Sequence, residues 1–121
     1  MNTKPECPFC LENHLLKGDV VADISDAFMI RAQSNPGCYL IIPKVHAETA
    51  EELPDTWWQS VKALIPLVPE LPSDYNLSFN IGTVAGQTVR HLHLWVIPRE
   101  TGQTASNMGL ASLIYKVNQI A

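Results

Sequence analysis

Two imidazoles stand two residues apart in Val89-Arg90-His91-Leu92-His93-Leu94-Trp95-Val96. In an extended chain a period of two sends His91, His93 and Trp95 to one face and Arg90, Leu92, Leu94 and Val96 to the other. Leu92, Leu94 and Val96 are what a packed core face carries, so the imidazole face is the one expected to be open to a ligand. Imidazole is the side chain whose ordinary pKa lies near neutral pH, which suits it to nucleophilic, general-base or metal-ligand work. Just before this pair, Gly82 and Gly86 flank a turn whose backbone N–H groups are expected to converge on an anion, with the Gln87 amide and the Thr88 hydroxyl as further donors. Glycine in a hairpin loop is ordinary punctuation. Its adjacency to the imidazoles is what counts, because a phosphoryl group held by the loop would lie within reach of them.

A second group of chemical residues lies near the start of the chain. Cys7-Pro8-Phe9-Cys10 has the two-residue gap of a zinc knuckle or of a thioredoxin-like redox motif. One such pair supplies half of the four ligands that zinc takes. A redox motif would sit between a strand and a helix, yet only six residues precede Cys7. A structural metal site completed by two distant histidines, His46 and His91, is therefore preferred, with a pair of inert buried thiols as the alternative.

The elements that must position these residues are legible in outline. Residues 27–32 and 38–42 are short and apolar, and the Ser34-Asn35-Pro36-Gly37 between them is turn chemistry, which predicts an antiparallel hairpin. Asp55 is a candidate N-cap for a helix carrying Trp57, Val61, Leu64, Ile65 and Val68 on one stripe, ended or kinked at Pro66. Residues 75–81 alternate in the period of a half-buried strand, and residues 88–97 are rich in β-branched and aromatic side chains up to Pro98, predicting another. Leu110, Leu113, Ile114, Val117 and Ile120 share a face and predict a C-terminal helix over 110–120. The order strand, strand, helix, strand, strand, helix points to an α+β domain with an antiparallel sheet and two main helices, spanning residues 1–121 as one unit.

Composition narrows the function classes. The chain has 121 residues, 46% apolar and 17% charged, which excludes disorder and a disulfide scaffold. Eight Lys and Arg against twelve Asp and Glu give a net charge of −4, which argues against a groove that tracks nucleic-acid phosphates but not against one small phosphorylated ligand. The longest apolar stretches, 38–43 and 92–98, are far short of the roughly 20 residues of a membrane span. The polar start, Met1-Asn2-Thr3-Lys4-Pro5-Glu6, lacks the apolar run of a secretory leader, so the expected location is a reducing cytoplasm.

Taken in order, these pieces resemble the histidine triad (HIT) superfamily of nucleotide-binding hydrolases and transferases. The resemblance runs from Cys7-Pro8-Phe9-Cys10 through Ile41-Ile42-Pro43-Lys44-Val45-His46, Asn80-Ile81-Gly82 and Ala85-Gly86-Gln87-Thr88-Val89 to His91-Leu92-His93 and Val96-Ile97-Pro98-Arg99. It implies an antiparallel sheet with two helices that commonly forms a homodimer. It implies that His93 attacks the α-phosphorus of a nucleotide to form a covalent nucleotidyl-histidine, resolved by water or another acceptor. It makes Gly86, Gln87 and Thr88 the phosphate cradle, Asn80 its polar neighbour, and His91 the first triad histidine, which orders the site. It also implies a zinc ion held by Cys7, Cys10, His46 and His91, and no organic cofactor. Trp95 stands where the third triad histidine belongs; indole offers one N–H donor and no proton titrating near neutral pH. The Asp that usually binds ribose hydroxyls has no counterpart in residues 30–36, and Gly37-Cys38 stands in place of Gly-His. A binding module that keeps the fold with little catalysis is the competing expectation.

Overall fold

The computed structural model describes residues 3–104 and 107–115. Five strands, β1 (Val20–Asp23), β2 (Ala27–Arg31), β3 (Tyr39–Pro43), β4 (Tyr75–Phe79) and β5 (Leu94–Pro98), form one sheet in the order β1-β2-β3-β5-β4, and every neighbouring pair is antiparallel. Helix α1 (Trp57–Leu64) lies between β3 and β4 in sequence, and α2 (Leu110–Ile114) follows β5. The α+β class with an antiparallel sheet and two helices is the architecture expected from the sequence.

Period two in the central strands explains how one sheet is covered on both faces. Met29, Ile41, Leu94 and Val96 turn toward α1, where they meet Trp57, Val61 and Leu64. Phe28, Ile30, Leu40 and Ile42 turn the other way and meet Cys7, Phe9 and Cys10 of the N-terminal segment, with Trp95 packed at its margin. The thiol motif therefore caps the sheet face opposite the helix. The hairpin of β2 and β3 is buried on both faces, which is why it reads as two continuous apolar runs.

Helix α1 is tied to the sheet by a buried hydroxyl: Ser60 Oγ donates to Asp26 Oδ1 at 2.9 Å, just ahead of β2. Ser60→Ala is expected to lower stability by about 1 kcal/mol, read as a shifted urea midpoint with an unchanged slope.

One strand and three boundaries differ from expectation. β1 was not foreseen: it is a four-residue edge strand, partly exposed, with a register shift between Val20 and Ala22. The position before α1 is Thr56 rather than Asp55, and no side chain caps it. As expected, the α-helix ends near Pro66: it stops at Leu64 and passes into a 3-10 turn over Ile65–Leu67. The strand expected over 75–81 ends at Phe79, and α2 ends at Ile114; the part of the predicted C-terminal helix from residue 116 onward lies outside the described residues.

The largest correction concerns residues 88–97. Only Leu94–Pro98 is strand, and residues 88–93 are irregular. Leu92 N–H donates to Ala47 O at 2.7 Å, which draws this segment toward the chain leaving β3 instead of along the sheet. Among the described residues no helix is long and apolar enough to cross a membrane.

Candidate metal centre and imidazole cleft

The departure from strand geometry before β5 carries His91 inward. His91 is fully buried, not open to a ligand as its face was expected to be. Its Nε2–H donates to Pro43 O at 2.7 Å, at the end of β3. A carbonyl can only accept, so this bond fixes the proton on Nε2 and leaves the Nδ1 lone pair facing the opposite way. There it meets Cys7 Sγ at 3.4 Å and Cys10 Sγ at 3.6 Å.

His46 completes the group in a similar manner. Its Nδ1 lies 3.2 Å from Cys10 Sγ, while its Nε2 bonds Glu48 Oε2 at 2.9 Å. The four ligand atoms of Cys7, Cys10, His46 and His91 all lie within 4.8 Å of one another, and all four residues are buried. Around a tetrahedral zinc, with Zn–S about 2.3 Å and Zn–N about 2.0–2.1 Å, sulfur and nitrogen ligands stand about 3.6 Å apart. The observed sulfur–nitrogen distances fit that spacing. Each ring also has its remote nitrogen anchored by a carboxylate or a carbonyl, the arrangement that orients histidine ligands at metal sites. The thiol loop is held by Asn13, whose Nδ2 donates to Lys4 O and Cys7 O.

Burial keeps the members of this cluster in their neutral forms. Burial pushes the Cys7 thiol pKa up, so a thiolate there needs a positive partner. Burial lowers the His91 pKa to about 4, with the Pro43 hydrogen bond opposing and His46 and His93 reinforcing the shift, so the lone pair on Nδ1 is available at neutral pH.

His93 is the other buried imidazole, packed edge-on against Phe9 with ring centroids 5.1 Å apart. Its Nδ1–H donates to His91 O at 2.8 Å. By the same logic the proton is fixed on Nδ1 and Nε2 carries a free lone pair. Burial also lowers the His93 pKa, which keeps that lone pair unprotonated. His93, Trp95, Thr88 and Val89 line a cleft of about 400 Å³, together with Phe9, Leu40, Lys17, Gln33 and Ser34. His93 and Trp95 ring centroids are 6.4 Å apart. A slightly larger cavity of about 440 Å³ lies beside Arg99, Asn76 and Met108 and is lined by no imidazole or thiol.

The Gly82–Gln87 loop differs from the expected cradle. Ala85 N–H and Gln87 N–H donate to Gly82 O, and Gly86 N–H donates to Thr83 O, so these donors close the turn instead of converging on a ligand. The Gln87 amide is bonded at both ends within the loop: Oε1 accepts from Gly82 N–H at 2.9 Å and Nε2 donates to Val89 O at 3.0 Å. Of the four residues expected around the phosphate, Thr88 reaches the cleft, whereas Asn80, Gly86 and Gln87 do not line it. Asn80 packs instead behind Gly86, its Nδ2 standing 3.5 Å from where a Gly86 Cβ would be.

Gly82 and Gly86 have φ of +94° and +96°, a region that side chains disfavour. Neither position is crowded. Gly86→Ala should therefore cost only backbone strain, about 1–2 kcal/mol, in thermal or urea unfolding, and Gly82→Ala should cost the same.

Some contributors were not foreseen. Phe9 lies inside the thiol motif and walls the imidazoles, and Lys17, Gln33 and Ser34 come from irregular segments that carry no catalytic motif. Glu48 had a signal: a carboxylate two residues after a candidate ligand histidine is well placed to orient it.

The site is thus an antiparallel sheet that leads into two buried imidazoles, His91 turned to the thiols and His93 turned to the cleft. Comparison with known proteins makes this specific. Residues 19–102 match the model of the HIT domain, and the chain belongs to that family. It is 33% identical over 117 residues to the adenosine 5'-monophosphoramidase hnt1 of Schizosaccharomyces pombe, covering 88% of this chain and 84% of that protein. Its fold matches the crystal structure of a HIT family protein from Bacillus anthracis with a TM-score of 0.69 and 28% identity, over 88% of this chain and 81% of that one. A Zn-bound histidine triad family protein from Mycobacterium smegmatis shares the fold with a TM-score of 0.61 at 23% identity, over 84% of this chain and 80% of that one. Cys7 and Cys10 lie outside the segment that matches the family model.

Proposed function

We propose that the chain is a nucleotidyl hydrolase or nucleotidyl transferase that acts at an α-phosphate through a covalent bond to His93. The observation that carries this is the Nδ1–H bond from His93 to His91 O, which leaves the Nε2 lone pair as nucleophile beside a cleft of nucleotide size. The named activity of the Schizosaccharomyces pombe relative, at an adenosine monophosphoryl group, supports the substrate class. In this reading Nε2 attacks phosphorus, and the Nδ1–H stays bonded to His91 O, where the carbonyl dipole stabilises the imidazolium that forms. Thr88 contributes its hydroxyl from the cleft wall. Asn80, Gly86 and Gln87 hold the loop that presents Thr88.

The residues present fit zinc, held by Cys7, Cys10, His46 and His91. When bound, it supplies positive charge that stabilises two buried thiolates and fixes His91. The role of His91 is thus positional: its ring is anchored, and its carbonyl sets the tautomer of His93. The place of β4 at the edge of the sheet supports assembly as a homodimer, and three cysteines without a disulfide among the described residues support a reducing cytoplasm as the working compartment.

The test is intact-mass measurement after brief incubation with an adenosine 5'-phosphosulfate. An added adenylyl group mapped to His93 is the expected result. Turnover with no adduct at any time point would count against the covalent route. The inward-bonded loop favours one competing reading, a nucleotide-binding module without catalysis; measurable affinity with neither turnover nor adduct across a broad substrate panel would establish it.

A further inference from the structure

We propose that the cleft selects its substrate by the acidity of the leaving group, because the ring that stands beside His93 at position 95, an indole, does not ionise near neutral pH and so cannot protonate a poor one. The class it takes is the nucleotidyl ester or mixed anhydride whose leaving group departs as a stable oxyanion, such as sulfate, a carboxylate or an acidic phenolate. P–N bonds and alkyl esters are the poor substrates. This inference rests on the nucleotidyl-transfer reading above.

The basis is a count of protons near His93. Among the described residues lining the cleft there is no carboxyl, thiol or phenol, and His93 is the single imidazole. Its one N–H is committed to His91 O. The neighbouring imidazole of His91 has its N–H committed to Pro43 O and its other nitrogen against the thiols. Trp95, the next ring along, is an indole and does not ionise near neutral pH. Its Nε1 is buried and meets no hydrogen-bond acceptor among the described residues. Among the described residues Lys17 is the one ionised N–H carrier that lines the cleft; it stands exposed at the rim, where it brings positive charge that favours an anionic product over a neutral amine.

The step then balances without a proton. The Nε2 lone pair forms the N–P bond, the bond from phosphorus to the leaving oxygen breaks, and its electron pair leaves with that oxygen. In the second step a water oxygen attacks phosphorus, the P–N bond breaks with its pair returning to Nε2, and the water proton passes to solvent. A sulfate or carboxylate accommodates the departing pair. An amine does not, because it would have to leave as an amide anion unless something protonated it first.

The experiment measures kcat/KM of the full chain on adenosine 5'-monophosphate aryl esters with phenols of graded acidity, together with adenosine 5'-phosphosulfate and adenosine 5'-phosphoramidate. The rate is expected to fall steadily as the leaving-group pKa rises, by at least about a hundredfold across the series. The phosphosulfate is expected to exceed the phosphoramidate by about a thousandfold. Trp95→His should at least halve the steepness, with the gain concentrated on the poorest leaving groups. Trp95→Phe, which keeps an aromatic ring and supplies no proton, should keep the parent steepness and serves if the histidine variant does not fold. A shallow dependence in the parent, a change of steepness in Trp95→Phe, or equal rates on phosphosulfate and phosphoramidate would overturn the proposal. Turnover that survives His93→Ala, or no turnover of any compound in the series, would instead defeat the nucleotidyl-transfer reading.

Discussion

Cys10→Ser is expected to abolish metal binding and to lower the melting temperature in the same variant. Cys10 Sγ is the hub of the cluster, within 3.2 Å of His46 Nδ1 and 3.6 Å of His91 Nδ1. Serine retains the volume but is a poor zinc ligand, and without the ion two buried ring nitrogens face each other with no shared cation. Structural zinc contributes its binding free energy to folding. Here the sheet has a separate core against α1, so the loss should be partial, about 3 kcal/mol or more, equivalent to a melting temperature lower by about 10 °C. Elemental analysis and calorimetry on the same samples check this. Chelation of the parent should reproduce the shift and should do nothing further to the variant. Cys38→Ser, outside the cluster, should change neither metal content nor melting temperature. Full metal content in Cys10→Ser would remove Cys10 from the ligand set.

His93→Ala should reduce kcat/KM by about three orders of magnitude or more while leaving metal content intact, because it removes the attacking lone pair and no ligand. Among the described residues the ring makes one hydrogen bond, to the backbone carbonyl of His91, and packs against Phe9. Its loss should therefore cost stability of about 1–3 kcal/mol, too little to unfold the chain at room temperature. Steady-state turnover and circular dichroism on one preparation separate the two effects. A variant that folds, keeps its metal and turns over at the parent rate would end the case for His93 as nucleophile.

What could be read from the sequence follows from how many ways a residue can be satisfied. The β2–β3 hairpin was legible because both runs are buried on both faces and Ser34–Gly37 can do little but turn. The meeting of Cys7, Cys10, His46 and His91 was legible because the two-residue gap of the thiols is that of a metal knuckle and the family resemblance supplied the two distant histidines. β1 was not, since Val20 is half exposed and the strand carries a register shift, so it has neither clean alternation nor a solid apolar run. The alternation in His91-Leu92-His93-Leu94 was misleading for a physical reason. It does mark two sides, with Leu94 toward α1 and the imidazoles toward Phe9, but the first residues reach those sides from an irregular segment held by Leu92 N–H and the His91 ring. The inward turn of the Gly82–Gln87 donors depends on which carbonyl each N–H finds, and glycine spacing carries no record of that.

The ligands of the metal cluster come from positions 7, 10, 46 and 91, so the contacts that His91 makes with the thiols span 84 and 81 residues of chain. During synthesis the two thiols emerge first and the last imidazole only after four of the five strands have been made. Until then the nascent chain offers at most three of the four donors. Closing the cluster is therefore a late event that reports on nearly the whole sheet, and a chain truncated before residue 91 has no means of completing it.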